Sequence, residues 1–172
     1  MIFNFFRSKQ KQFIKAIRQN DYSAVKQLIS DRKVDVHAPD NYGWTPLRWA
    51  AKEGCLEICE LLIEHNADVN ATDELGTPLH RATEMVYLEI CGLLIEHGAD
   101  VNAENEAFGK TPLHLAADSG NFEMCELLIQ HGADVDAELY RHPPLIHLLE
   151  NIKNKENINL KICKLLIEHG AN

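Results

Sequence analysis

Five cysteines and nine histidines are the residues in this chain that could hold a metal, pair as disulfides or work as nucleophile and base. Cys59, Cys91, Cys125 and Cys163 each stand two residues before a Leu-Leu pair. That equivalence predicts a column of sulfurs on successive stacked helices. Packed helices lie about 8 to 10 Å apart, too far for a shared ion or an S–S bond, so the column reads as small buried hydrophobes. Cys55 and Cys59 are spaced i, i+4, but no His or Asp is placed to complete a tetrahedral site, and no metal is expected. His65, His97, His131 and His169 recur four residues after the first Leu of each pair, where a donor suits a helix C-terminus. His80 and His114 share a second repeated position, which leaves His37, His142 and His147 as no cluster. Nucleophile elbows, phosphate-cradling glycine loops and HExxH are absent, and the carboxylates fall at repeated surface positions rather than as a converging pair. No catalytic residue and no cofactor is expected, so the chain reads as no enzyme.

The elements that position these residues are repeats. Thr45-Pro46-Leu47 returns at a near-constant interval as Thr77-Pro78-Leu79, Thr111-Pro112-Leu113 and, degraded, Pro143-Pro144-Leu145. At one fixed distance after each Thr comes Leu-Leu-Ile, at Leu61, Leu93 and Leu127, followed by Asn66-Ala67-Asp68-Val69-Asn70, Gly98-Ala99-Asp100-Val101-Asn102 or Gly132-Ala133-Asp134-Val135-Asp136. Thr before Pro starts a helix, because the hydroxyl caps it and the missing N–H falls where none is needed. Leu47, Ala50 and Ala51 form a narrow apolar stripe with small residues that let helices approach. Gly54 and Gly120 end that helix in the left-handed region. A second helix carries Ile58, Leu61 and Leu62, or Met124, Leu127 and Leu128, inward, and Gly98 and Gly132 stop it before an extended loop.

These signatures, TPLHxA at Thr77–Ala82 and Thr111–Ala116 and GADVNA or its variant at Gly98–Ala103 and Gly132–Ala137, make the chain resemble the ankyrin-repeat family. The resemblance covers nearly the whole chain and implies an all-α solenoid of five stacked helix-turn-helix repeats with hairpin-like connecting loops. The expected organisation is one domain over 1–172: a divergent first repeat at 1–38, standard repeats at 39–71, 72–104 and 105–138, and a last repeat at 139–172 with a polar insertion at 151–159. The resemblance also implies that His80 and His114 hydrogen-bond toward the neighbouring loop, a bond left in doubt where Arg48 replaces the first such His.

Function is then expected on the concave groove and loop tips, as a scaffold for protein–protein interaction. The groove positions implied by the resemblance are Asn41, Tyr42, Trp44, Trp49, Lys52 and Glu53 in the second repeat. Glu74, Leu75, Arg81, Glu84 and Met85 follow in the third, Phe108, Lys110, Leu115, Asp118 and Ser119 in the fourth, and Tyr140, Arg141 and His147 in the fifth. Exposed Trp and Tyr are enriched at binding hot spots, so Tyr42, Trp44 and Trp49 are the expected anchors; the alternative, that the two tryptophans pad the junction with the first repeat, stays open. Glu53, Asp73, Glu74 and Glu84 around them point to a protein or peptide partner, preferably basic. Asn70 and Asn102 resemble the loop asparagines that this family presents for hydroxylation. A recruiting arm of a larger enzyme or effector, and a self-associating spacer, are the other two readings.

Composition sets the outer limits. The net charge is −9, yet residues 1–33 carry +6 and the remainder −15. An acidic body argues against sequence-independent nucleic-acid binding. No apolar run reaches the roughly 20 residues of a membrane span, and MIFNFF followed by Arg7, Lys9 and Lys11 has the reverse order of a signal peptide. An odd number of cysteines points to a reducing compartment: cytoplasm, nucleus, or a host cytosol entered by a secreted effector. Two departures carry structural expectations. Val86 stands where Gly54 and Gly120 end their helices, so its turn is expected to differ. Ile162, Leu165, Leu166 and Ile167 copy the interior pattern at the end of the chain. Unless the insertion caps them, the natural protein continues or two chains meet there, part of that face is expected to stay exposed and frayed.

Overall fold

A computed structural model describes residues 2–137 and 156–171. Within them the structure is helical: α1 Ile2–Arg18, α2 Tyr22–Ser30, α3 Pro46–Glu53, α4 Leu56–Glu64, α5 Pro78–Glu84, α6 Leu88–Glu96, α7 Pro112–Ser119, α8 Phe122–Gln130 and α9 Glu156–Glu168. Helices α1, α3, α5 and α7 pack side by side in an inner row; α2, α4, α6, α8 and α9 form the outer row.

The short helices follow from their caps. Thr45 and Thr111 are extended and their Oγ1 atoms accept from the backbone N–H of Arg48 and His114, with Pro in the first turn. Asp21 and Asn121 cap α2 and α8 through N–H bonds from Ala24 and Met124 at 2.9 and 2.8 Å. The stripe residues Leu47, Leu79 and Leu113 are fully buried, as are Ala50, Ala82 and Ala116 beside them. Each buried Leu contributes about 1.5 to 3 kcal/mol, and the alanines let the inner row close up. Ile58, Ile90, Met124 and Ile162 line the outer row's inward face.

One bond fixes the register of every inner helix. Asp21 N–H donates to Ala16 O, Cys55 to Ala50, Tyr87 to Ala82 and Asn121 to Ala116, all at 2.9–3.0 Å. The residue before each donor is left-handed: Asn20 (φ 53), Gly54 (φ 74), Val86 (φ 64) and Gly120 (φ 72). The expectation of a different turn at Val86 is therefore corrected. The closing bond and the packing of Tyr87 onto the preceding repeat hold the turn's shape and force a β-branched residue into it. A Cβ on Gly54 would lie 2.7 Å from the Tyr87 ring.

The C-terminal expectation is also corrected in part. Ile162, Leu165 and Leu166 are buried, and of the four copied residues Ile167 alone is exposed, at 58%. Residues 156–159 of the expected insertion are the first turn of α9, which no Gly or Pro interrupts, so this part is helix rather than solvated loop. The rest of the insertion, and Tyr140, Arg141, His142 and His147, lie outside the described residues. No helix among the described residues is long and apolar enough to cross a membrane.

Candidate functional site

The loops between repeats end in tight tips, each built by one side chain. Asp40 Oδ1 accepts from the N–H groups of Tyr42 and Trp44, Asp73 Oδ1 from Leu75, and Asn105 Oδ1 from Phe108 and Lys110, at 2.7–3.1 Å. A short acceptor at that position folds the backbone over itself, and a glycine with positive φ follows at Gly43, Gly76 or Gly109. Immediately before each glycine stands an apolar residue with nowhere to be buried. Tyr42 is 81% exposed, Leu75 39% and Phe108 52%. They recur at equal spacing, once per repeat, and form a ladder along the tips. Ala107 N–H also donates to Glu74 O at 2.8 Å, tying two tips together.

The floor beneath the tips is different from what the sequence suggests. Trp49 is 8% exposed and Trp44 half-buried, so the expected exposure of Trp49 is corrected. Their rings lie 4.5 Å apart, and Trp49 Nε1 donates to Asp40 Oδ2 at 2.9 Å, which satisfies the indole's only donor. Four cations surround the pair. Arg48 lies 4.2 Å and Arg81 5.1 Å from the Trp44 ring, Arg18 4.6 Å from Trp49, and Lys52 about equally over both. The tryptophans thus pad the junction between repeats, with Lys52 as the half-buried surface above them.

Three of the four rim carboxylates are already engaged. Asp73 pairs with Arg48, Glu84 with Arg81, and Glu53 stands 4.0 Å from Arg18. Arg48 is 1% exposed, and burial pulls its pKa down to about 10, against support from Asp40 and Glu84. Where the resemblance puts a His that reaches the next loop, Arg48 reaches the same loop by an ion pair. His80 does so by hydrogen bonds, with Nε2 2.9 Å from Lys110 O and Nδ1 against Thr77, and burial lowers its pKa. Farther along the groove Lys110 pairs with Asp118 at 2.6 Å, Arg81 and Leu115 are half-buried, and Glu74, Met85 and Ser119 are exposed.

On the loops away from the tips, Asn70 and Asn102 act as inter-repeat clips. Asn70 donates to Gly98 O and accepts from Asp100 N–H; Asn102 does the same with Gly132 and Asp134, at 2.8–3.1 Å. The repeated histidines cap: Nδ1 of His65, His97, His131 and His169 lies 2.8–2.9 Å from the carbonyl four residues earlier.

All five cysteines are free and buried. Burial holds their thiols protonated, with Cys55 pushed up to about 11, Cys91 and Cys125 to about 12, and Cys59 higher. A thiol kept neutral in this way is neither nucleophile nor ligand at neutral pH.

Sequence reasoning missed one part of the groove. The register bond of Ala16 aligns Lys15 with Trp49, Arg81 and Leu115, and Arg18 with Lys52, Glu84 and Asp118. Helix α1 therefore presents Lys11, Lys15 and Arg18, all exposed, on the same face. The first repeat has no TPLHxA signature to set that register, though counting back one repeat length from Ala50 to Ala16 finds it.

Comparison with known proteins adds the lineage of these repeats. A family model described as ankyrin repeats (3 copies) matches residues 13–105 and 102–172. Among curated relatives, palmitoyltransferase akr1 of Schizosaccharomyces pombe is 50% identical over 56 residues, which are 33% of this chain and 9% of that protein. The E3 ubiquitin-protein ligase Ufd4 of Drosophila melanogaster is 42% identical over 60 residues, 35% of this chain and 2% of that protein. The ankyrin repeat, SAM and basic leucine zipper domain-containing protein 1 of Saimiri boliviensis boliviensis is 34% identical over 62 residues, 36% and 13% of the two chains. The match spans 13% or less of each of these relatives.

Proposed function

Since the chain belongs to the ankyrin-repeat family, whose repeats are protein-interaction modules, we propose that its concave face holds an extended segment of a partner protein. The observation that carries this is the tip ladder of Tyr42, Leu75 and Phe108, exposed at one register and equally spaced along the chain. A single exposed apolar residue is ordinary; three in line above a groove mark a binding edge. Asn41, Glu74 and Lys110 flank the ladder. Lys52, Glu53, Arg81, Glu84, Met85, Leu115, Asp118 and Ser119 make the floor.

Trp44 and Trp49 serve this surface as a rigid support, while Tyr42 remains an anchor. A basic partner loses its main support at this end of the groove, because Glu53, Asp73 and Glu84 are engaged by Arg18, Arg48 and Arg81. The module acts without chemistry of its own and in a reducing compartment, cytosolic or nuclear, in keeping with its buried free thiols. The match to stretches of a palmitoyltransferase and an E3 ligase supports a second form of the same role, in which the repeats recruit a substrate for a larger enzyme.

The test is selection of randomised peptides on the immobilised chain, followed by affinity measurement on Tyr42→Ser/Leu75→Ser/Phe108→Ser. Losing three anchors is expected to weaken the selected peptides by about 150-fold, at about 1 kcal/mol each, with the thermal midpoint little changed because the side chains are exposed. Unaltered affinity would remove the tips from the binding surface.

A further inference from the structure

We propose that the N-terminal end of the concave face is a cleft for an acidic peptide segment that carries an aromatic or large apolar side chain beside its carboxylates. The inference deepens the concave-face reading and rests on it for the direction in which the partner lies.

The cleft lies between α1 and the second repeat's tip, open to solvent, with a volume of about 260 Å³. At roughly 30 Å³ per liquid water, that is the room of eight or nine waters, enough for one large side chain and the carboxylate next to it. Its floor is Ile14, buried beneath the opening, and its far wall is Pro39 and the ring of Tyr42. Lys11, Lys15 and Arg18 line the near wall at one-turn spacing on α1. An apolar floor under a row of cations is complementary to an acidic segment with one apolar residue, and a basic segment would be repelled.

The charge at this end is also poorly compensated from within. Among the described residues Lys11, Lys15 and Lys52 have no carboxylate partner, and Lys52 rests on the two indoles. Arg18 reaches Glu53 only at 4.0 Å. The carboxylate that does line the cleft, Asp40, spends Oδ1 on two tip N–H groups and Oδ2 on Trp49. Groove positions equivalent to Arg18 and Lys52 then become Glu84 and Asp118, so the sign changes along the groove. In a chain of net charge −9, this local reversal suits a short acidic peptide. A nucleic acid needs a continuous basic track for its regularly spaced phosphates, and among the described residues Glu84 and Asp118 interrupt it.

The experiment uses the full chain and fluorescein-labelled peptides of about 12 residues, observed by anisotropy at about 50 and 300 mM salt. One peptide is Glu-rich with a central Phe; the others are its Gln isostere, its Lys counterpart and a Glu-rich form with Ala for Phe. A single-stranded oligonucleotide of similar length is the polyanion control. The Glu/Phe peptide is expected to bind, with the Gln and Ala forms about tenfold weaker and binding reduced by salt. Lys11→Glu/Lys15→Glu/Arg18→Glu is expected to abolish it, while Glu60→Gln/Glu64→Gln, exposed on the outer helix α4, leaves it unchanged. Lys11→Gln/Lys15→Gln/Arg18→Gln serves if the charge-reversed chain does not fold. Equal binding of the Glu and Gln peptides, binding that survives both α1 variants, or an oligonucleotide held as tightly as the peptide would each overturn the proposal. If no acidic peptide binds while selected peptides still depend on Tyr42, Leu75 and Phe108, the acidic cleft is wrong and the concave-face reading stands. If selected peptides ignore the tips as well, both are wrong.

Discussion

Raising the pH tests how the buried thiols are held. An unfolded Cys ionises around its ordinary value of 9.0, whereas in the folded chain Cys55 is pushed up to about 11, Cys91 and Cys125 to about 12 and Cys59 beyond them. Below pH 9 each thiol is protonated in both states, so its neutral burial is fully expressed. Above pH 9 the unfolded chain loses protons that the folded chain keeps, and stability falls until the pH passes the folded values. At pH 10 about ten in eleven unfolded thiols are ionised, which favours the unfolded state by about 1.4 kcal/mol for each cysteine, and by about 5 kcal/mol for these four. Arg48 works the other way: its pKa is held down to about 10, so it gains stability as pH rises, but only about 0.4 kcal/mol at pH 10. The thiols win by an order of magnitude, and about 5 kcal/mol is a large part of the roughly 5 to 15 kcal/mol that holds a typical domain together. Urea unfolding at about pH 7.5 and pH 10 measures the loss, and Cys125→Ala isolates one share of it. Whatever the cavity costs at neutral pH, the variant should lose about 1.4 kcal/mol less than wild type between the two pH values. Equal losses in wild type, Cys125→Ala and Cys91→Ala would refute the claim that burial keeps these thiols neutral.

Three further outcomes follow from the packing. Val86→Gly should raise stability by about 1 kcal/mol, since it removes a β-branched residue at φ 64, whereas Gly54→Ala should cost about 2 kcal/mol or more through φ 74 and the Tyr87 ring; chemical denaturation of both variants checks the opposite signs. Asp73→Asn should cost about 3 kcal/mol by leaving Arg48 buried without its anion, while Arg48→Leu should cost less than half of that because Asp73 can hydrate, an asymmetry that a double-mutant cycle reads directly. Asn70→Ala and Asn102→Ala should each cost about 1 to 2 kcal/mol through two lost bonds to the next loop, and amide exchange at Asp100 or Asp134 should quicken in the matching variant; unchanged exchange would show that the clips do not hold the loops.

The repeat architecture was legible because its causes are local. A Thr before Pro caps, a Gly after the Ala pair takes the left-handed region, and Leu at fixed spacing is buried, so the helices at Pro46 and Pro112 begin where the residues say. Val86 shows the limit of local reasoning. Its own preference is against φ 64, but the bond from Tyr87 to Ala82 and the packing onto Gly54 impose the shape that neighbouring repeats share. Trp49 shows another. Its place at the variable groove position suggested exposure, and only the reach of Asp40 from the tip and of Arg18 from the first repeat covers it. The basic face of α1 was hidden because no signature there fixes which residues share a side, so Lys15 and Arg18 entered only within the +6 carried by residues 1–33. At the far end, copying of the interior pattern suggested an open face, whereas Ile162, Leu165 and Leu166 are buried and Ile167 is the part of it left in water.

The central claim is that the concave face, from the tips to the inner helices, is where this chain meets its partner. Hydrogen exchange of the full chain with and without a saturating peptide selected on it tests that claim most directly. Added protection is expected at residues 40–45, 73–77 and 105–111 and along α3 and α5, with the outer helices α4, α6 and α8 unchanged. Protection confined to α4, α6 and α8, with the tips exchanging as in the free chain, would contradict it.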